Sequence, residues 1–78
     1  MINQTVKLSK LQAHNITVLR ERKKWSKIEL AEKCGVHRQT IYNVESGDEL
    51  ASYPVIKALC KAFGIEEHEL FQIDLDKK

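Results

Sequence analysis

Ser26-Lys27-Ile28-Glu29-Leu30-Ala31-Glu32-Lys33-Cys34-Gly35-Val36-His37-Arg38-Gln39-Thr40-Ile41-Tyr42-Asn43-Val44-Glu45-Ser46 is the stretch that decides the fold. It reads as two short helices meeting at a glycine. Ser26 offers an N-cap hydroxyl, and Glu29 stands three residues on, the spacing of a reciprocal capping box. Leu30, Ala31 and Cys34 then share one helical face. Gly35 falls where a helix closing in the left-handed region wants no Cβ. Beyond Val36 a second helix starts. Ile41 and Val44 point inward together, while Arg38, Gln39 and Asn43 point outward, with Gln39 and Asn43 one turn apart. Ala31 is small enough for two helices joined by so short a turn to cross closely, and Val36 plugs the space beneath the turn.

A small residue, then glycine, then two apolar positions in this order form a helix-turn-helix pattern. The apolar positions alone fit a plain αα-hairpin with a solvated outer face equally well. The residue identities separate the two. Leu30-Ala31-Glu32-Lys33-Cys34-Gly35-Val36, followed by Arg38-Gln39-Thr40-Ile41 and by Val44-Glu45-Ser46-Gly47, resembles the run of the Cro and lambda-repressor-like helix-turn-helix family, also called the XRE family. The resemblance extends from about Ile16 to Phe71. Its motifs are specific taken together, though no single one is.

The whole chain has 78 residues and is read as one domain, 1–78, with the helix-turn-helix at 27–46 inside a core of 16–71 and terminal arms at 1–10 and 72–78. A chain this short buries only about 60% of its unfolded surface, which leaves little room for an enzyme's cleft. An apolar content of 42% argues against disorder. No apolar run approaches the roughly 20 residues of a membrane span, and the N-terminus lacks a signal peptide's apolar stretch, so a cytoplasmic location is expected. Cys34 and Cys60 lie far apart on apolar helical faces and read as buried small hydrophobes. Neither a disulfide nor a zinc site is expected: there is no C-x-x-C, and Cys34 with His37 makes one close pair only.

The net charge of +2 hides an asymmetry. Residues 1–43 carry nine Lys or Arg against three acids, and residues 44–78 carry four lysines against eight acids, giving +6 and −4. A basic half containing the helix pair suits a polyanion, and solvated charge is the simpler reading of the same numbers.

Along the chain, Thr5-Val6-Lys7-Leu8 alternates and reads as a short strand. A lone strand needs a partner, and the similar alternation of Gln72-Ile73-Asp74-Leu75 makes a small antiparallel ribbon of the two ends. Fraying of both termini is the alternative. A first helix is expected to begin between Leu11 and Asn15 and to run to about Lys23, with Ile16, Leu19 and Arg20 inward and Asn15 a candidate N-cap. Trp25 packs between helices with its N–H on a carbonyl or water. The second helix spans about Lys27–Cys34 and the third Arg38–Glu45, closed by Gly47. Ser52 caps a fourth, with Pro54 in its first turn and Tyr53, Ile56, Leu59, Cys60 and Phe63 inward to Gly64. A fifth, about Glu66–Phe71, has acids at its positive end and buries Leu70 and Phe71. The fold class is therefore an all-α, compact five-helix domain with a terminal ribbon.

The third helix has the chemistry of a major-groove reader. Arg38 can fork onto guanine O6 and N7, Gln39 onto adenine N6 and N7, and Asn43 onto a neighbouring base. The resemblance implies base contact from these three positions. Thr40 and Tyr42 suit phosphate or thymine-methyl contacts. The resemblance places Lys27, where the family usually has glutamine, and Ser46, often asparagine, against the DNA backbone. It also implies an internal ion pair between Arg20 and Glu45. Asp48 and Glu49 depart from the family, which commonly has basic residues there, and two acids would repel phosphate. His37 replaces the usual serine or threonine cap.

The function expected is a sequence-specific duplex-DNA-binding transcriptional regulator, a repressor that occupies an operator as a homodimer with half-sites about 34 Å apart. The alternative is a protein-interaction module, an antitoxin or anti-regulator, which the acidic second half supports. An enzyme is not expected. His14, His37 and His68 are scattered, no nucleophile has an evident base, and nothing suggests a cofactor, a metal or a small-molecule ligand.

Overall fold

The computed structural model describes the backbone of residues 4–71 and the side chains of residues 8–71. In chain order these form α1 (Gln4–Arg22), α2 (Lys27–Cys34), α3 (Arg38–Ser46), α4 (Tyr53–Phe63) and a C-terminal 3₁₀ helix (Glu67–Phe71). Each element supplies one aliphatic side chain to a common core: Ile16, Leu30, Ile41, Leu59 and Leu70 are all 0% exposed. Ala31 is buried where α2 meets α3, and Val36 packs half-buried against the same core. Trp25, half-buried, stacks on Phe63 with ring centroids 6.0 Å apart, so the loop between α1 and α2 is pinned to α4.

Two expectations about the termini change. Thr5-Val6-Lys7-Leu8 lies inside α1 and is not a strand, and Asn15 lies in mid-helix rather than at a cap. The other half of the expected ribbon, Gln72-Ile73-Asp74-Leu75, lies outside the described residues. The reason α1 was hard to see is its inner face. Ser9, Gln12, Ala13, Asn15 and Ile16 are buried along it, but three of the five are polar and Ala13 is small. Hydrophobic periodicity therefore begins only at Ile16. Buried polar side chains need partners, and these find backbone groups that no helix satisfies. Ser9 Oγ donates to the Gly47 carbonyl at 2.7 Å. Gln12 Oε1 accepts from the Ala51 N–H at 2.9 Å. Asn15 Nδ2 donates to the Leu70 carbonyl at 2.7 Å. The polar stripe thus stitches α1 to the loop after α3 and to the C-terminal turn.

The remaining differences are local. The expected fifth helix is a 3₁₀ turn, with Leu70 buried and Phe71 half-buried. Tyr53 is 59% exposed instead of facing inward, and Lys57 lies over its ring at 5.6 Å. Tyr53 sits in the first turn of α4, one residue before Pro54, where the helix has not yet reached the core. Ser52 takes the N-cap backbone conformation without a side-chain bond. Both cysteines are free thiols, Cys60 buried but Cys34 only partly so, because α2 ends beside it. No helix among the described residues is long and apolar enough to cross a membrane.

Candidate nucleic-acid interface

The helix pair forms as its residue types require. Ser26 Oγ accepts from the Glu29 N–H at 3.0 Å, and Glu29 Oε1 accepts from the Ser26 N–H at 2.7 Å, so α2 starts with a complete capping box. Gly35 ends it at φ 69°. His37 then caps α3: its Nδ1 accepts from the Gln39 N–H at 3.1 Å. That bond uses a neutral imidazole with Nδ1 unprotonated, a substitute for the more usual hydroxyl.

Ile41 and Val44 bury one side of α3, and the opposite side is open. Arg38, Gln39, Tyr42, Asn43 and Ser46 are exposed along it. Arg38 has no hydrogen-bond or ion-pair partner among the described residues, so its five donors face solvent. Gln39 Nε2 donates to Asn43 Oδ1 at 3.0 Å across one turn. Lys27, from the first turn of α2, holds its ammonium 5.3 Å from the centre of the Tyr42 ring, which brings two of the expected backbone-contacting residues together. Thr40 is half-buried on the flank and lines a groove with Asn43, Glu49 and Val55. Ser46 turns its hydroxyl hydrogen onto the Asn43 carbonyl at 2.7 Å and accepts from the Asp48 N–H at 3.3 Å, closing α3 before Gly47.

Behind the open face, Arg20 and Glu45 lie together. Arg20 Nε donates to Glu45 Oε2 at 2.7 Å, and the side chains are 11% and 2% exposed. Arg20 also donates through its second terminal nitrogen to Glu45 Oε1 at 3.2 Å, and its first reaches the Trp25 carbonyl at 2.8 Å. Thr17 Oγ1 donates to Glu45 Oε1 at 2.9 Å. One guanidinium therefore ties α1, the end of α3 and the entry to α2. Thr17 and the Trp25 carbonyl escaped the sequence reading: Glu45 lies 28 residues from Thr17, and the Trp25 carbonyl is a backbone group that its residue type does not mark.

The basic half is not spent uniformly on this face. Lys23 and Lys33 lie over the Trp25 ring at 5.9 and 4.8 Å, and Arg20 is paired. Lys27 and Arg38 are the cations beside the open face of α3, and Asp48 and Glu49 border its other end, in a groove with Asn43 and Ser46. Among the described residues no group of three or more His, Cys, Asp or Glu is arranged to hold a metal ion.

Comparison with known proteins places this arrangement. The family described as Helix-turn-helix (HTH_3) matches residues 16–70. The chain is 33% identical over 61 residues to a Bacillus subtilis (strain 168) protein described as an uncharacterized HTH-type transcriptional regulator, YgzD, covering 78% of this chain and 92% of that one. Its fold is similar to the crystal structure of a hypothetical transcription factor, NHTF, from Neisseria, with a TM-score of 0.81 and 27% identity over 90% of this chain and 79% of the other. With its capped α2, its glycine turn and the exposed outer side of α3, the chain belongs to the XRE-type helix-turn-helix family.

Proposed function

We propose that this protein is a DNA-binding transcriptional regulator that lays α3 in the major groove of duplex DNA. The observation that carries the reading is the outer side of α3: Arg38, Gln39 and Asn43 are exposed on a helix whose other side is locked into the core. Arg38 reads guanine through its fork, and Gln39 and Asn43 read adjacent bases with their amides. Lys27, steadied by the Tyr42 ring, meets phosphate, with Thr40 at the flank. Ser46 donates to phosphate only after its hydroxyl releases the Asn43 carbonyl, so its part is smaller than that of Lys27. One α3 spans too few base pairs for selectivity, so two copies bind a two-fold operator, with half-sites about one helical turn apart. Occupying a promoter in this way represses it. The relative described as an HTH-type transcriptional regulator and the fold neighbour described as a hypothetical transcription factor support DNA-binding regulation.

A second reading, a protein-interaction module, is favoured by the exposed acids Asp48 and Glu49 at the end of α3. Titrating the protein against duplex DNA at several salt concentrations separates the two. Neutralising phosphates releases counterions, so log K falls with log salt, and a protein-only binder shows no such slope. Lys27→Ala should weaken binding to all sequences alike and reduce the slope by about 1. Arg38→Ala should cost about 1–3 kcal/mol and relax preference at one base pair. Unchanged binding of Arg38→Ala to every sequence would overturn the readout.

A further inference from the structure

We infer that His37 is a further DNA contact: its Nδ1 caps α3 while its Nε2–H, in the neutral ring, donates to a backbone phosphate of the duplex. The inference rests on α3 entering the major groove. A serine or threonine in this place would spend its one oxygen on the helix. The imidazole has a second nitrogen, and the cap decides what that nitrogen can do.

Nδ1 accepts from the Gln39 N–H at 3.1 Å, which occupies its single lone pair. The neutral ring then carries its hydrogen on Nε2, so one tautomer is selected. Because Nδ1 is turned to the helix, Nε2 on the far side of the ring is turned away from it. The side chain is exposed, and among the described residues Nε2 has no hydrogen-bond partner. The cap bond thus presents an oriented donor at the leading end of α3, and less side-chain freedom remains to be lost on binding.

Position along the helix selects phosphate over a base. His37 precedes Ile41 by four residues and Val44 by seven, so it starts on their side of α3, outside the row of Gln39 and Asn43. Base edges are met by that outward row. The duplex backbone is met from the side of the first helix of the motif, α2, which crosses it and which begins with Lys27. No Asp or Glu occurs from Gly35 to Val44, so this end of α3 lacks the acids that Asp48 and Glu49 set at the other. A neutral N–H on a phosphate oxygen is a charge-assisted bond, and it displaces no counterion because the ring brings no charge.

The test replaces the ring by groups that keep the cap and lack the reach. His37→Ser and His37→Thr are good N-caps, and their hydroxyls stay beside the backbone, short of the place Nε2 holds. Both variants should melt no lower than the unaltered chain. Titrated against duplex DNA well below the melting temperature, both should bind about tenfold more weakly, the size of one hydrogen bond to a charged group. The loss should be the same on every sequence, and the salt slope should stay as it is, in contrast to Lys27→Ala. Undiminished binding by either variant would reduce His37 to a cap. A loss confined to one base pair would make the contact a base, and a slope reduced by about 1 would make the ring a cation; either result overturns the neutral phosphate donor while leaving DNA binding intact. No salt-dependent DNA binding by the unaltered chain would overturn the groove assignment and the His37 contact with it.

Discussion

Lys24 holds the one positive φ outside glycine among the described residues, 62°. It ends α1, where its neighbour Trp25 donates its N–H to the Arg20 carbonyl at 3.2 Å. A side chain in the left-handed region costs about 1–2 kcal/mol that glycine avoids. Lys24→Gly should therefore raise the unfolding free energy by about 1 kcal/mol in a urea titration, and a fall would show that the lysine itself holds the turn. Arg22-Lys23-Lys24-Trp25 contains no glycine or proline, so the sharpness of this corner was not legible. Cys60 makes a second case. Burial pushes its thiol above the ordinary range, and Glu67, Glu66 and Glu69 add to the effect. The neutral thiol is favoured in the folded chain, so that contribution to stability is fully present below the unfolded value, about 8.5. It is lost as pH rises through the folded value, because the unfolded chain releases its proton first. The urea midpoint should fall above about pH 8.5, and less steeply in Cys60→Val. Equal slopes in the two proteins would remove Cys60 from the account.

For α3 the decisive contact lies on its hidden side. Glu45 accepts from Arg20 twice and from Thr17 once, at 2% side-chain exposure. Desolvation offsets most of the attraction between such partners, yet removing one leaves the other charged and buried. Glu45→Ala should destabilise by about 3–5 kcal/mol, and Arg20→Met with Glu45→Leu together by less than the two single changes added. Additive losses in that double-mutant cycle would mean the pair does not act as a unit. The function of the pair follows from its position. It fixes the end of α3 to α1 and to the residue entering α2. The start and end of α2 were legible because Ser26, Glu29 and Gly35 act within one turn of chain. The helical nature of residues 4–10 was not, because the buried face there is Ser9 and its polar successors, whose partners are carbonyls and an N–H some forty or more residues away.

Those distant partners make α1 the strut of the molecule, touching the loop after α3 and the last turn of the described chain. Asn15→Ala should cost about 1–3 kcal/mol, since it strips a buried carbonyl of its donor. Hydrogen exchange should then quicken first in residues 65–71. Uniform quickening throughout would show that the last turn is not separately secured. The helix pair, the core positions Ile16, Leu30, Ile41, Leu59 and Leu70, and the outward set on α3 were all determined by the sequence itself. Caps and glycine turns act locally, and apolar spacing assigns faces without knowledge of the partner. Tertiary structure alone decided the length of α1, the exposure of Tyr53 and the 3₁₀ form of the last turn. It also decided the placing of Lys27 over Tyr42. Each of these depends on which group a polar side chain meets in space, and a hydrogen bond or a cation over a ring, unlike burial, leaves no periodic trace in the order of residues.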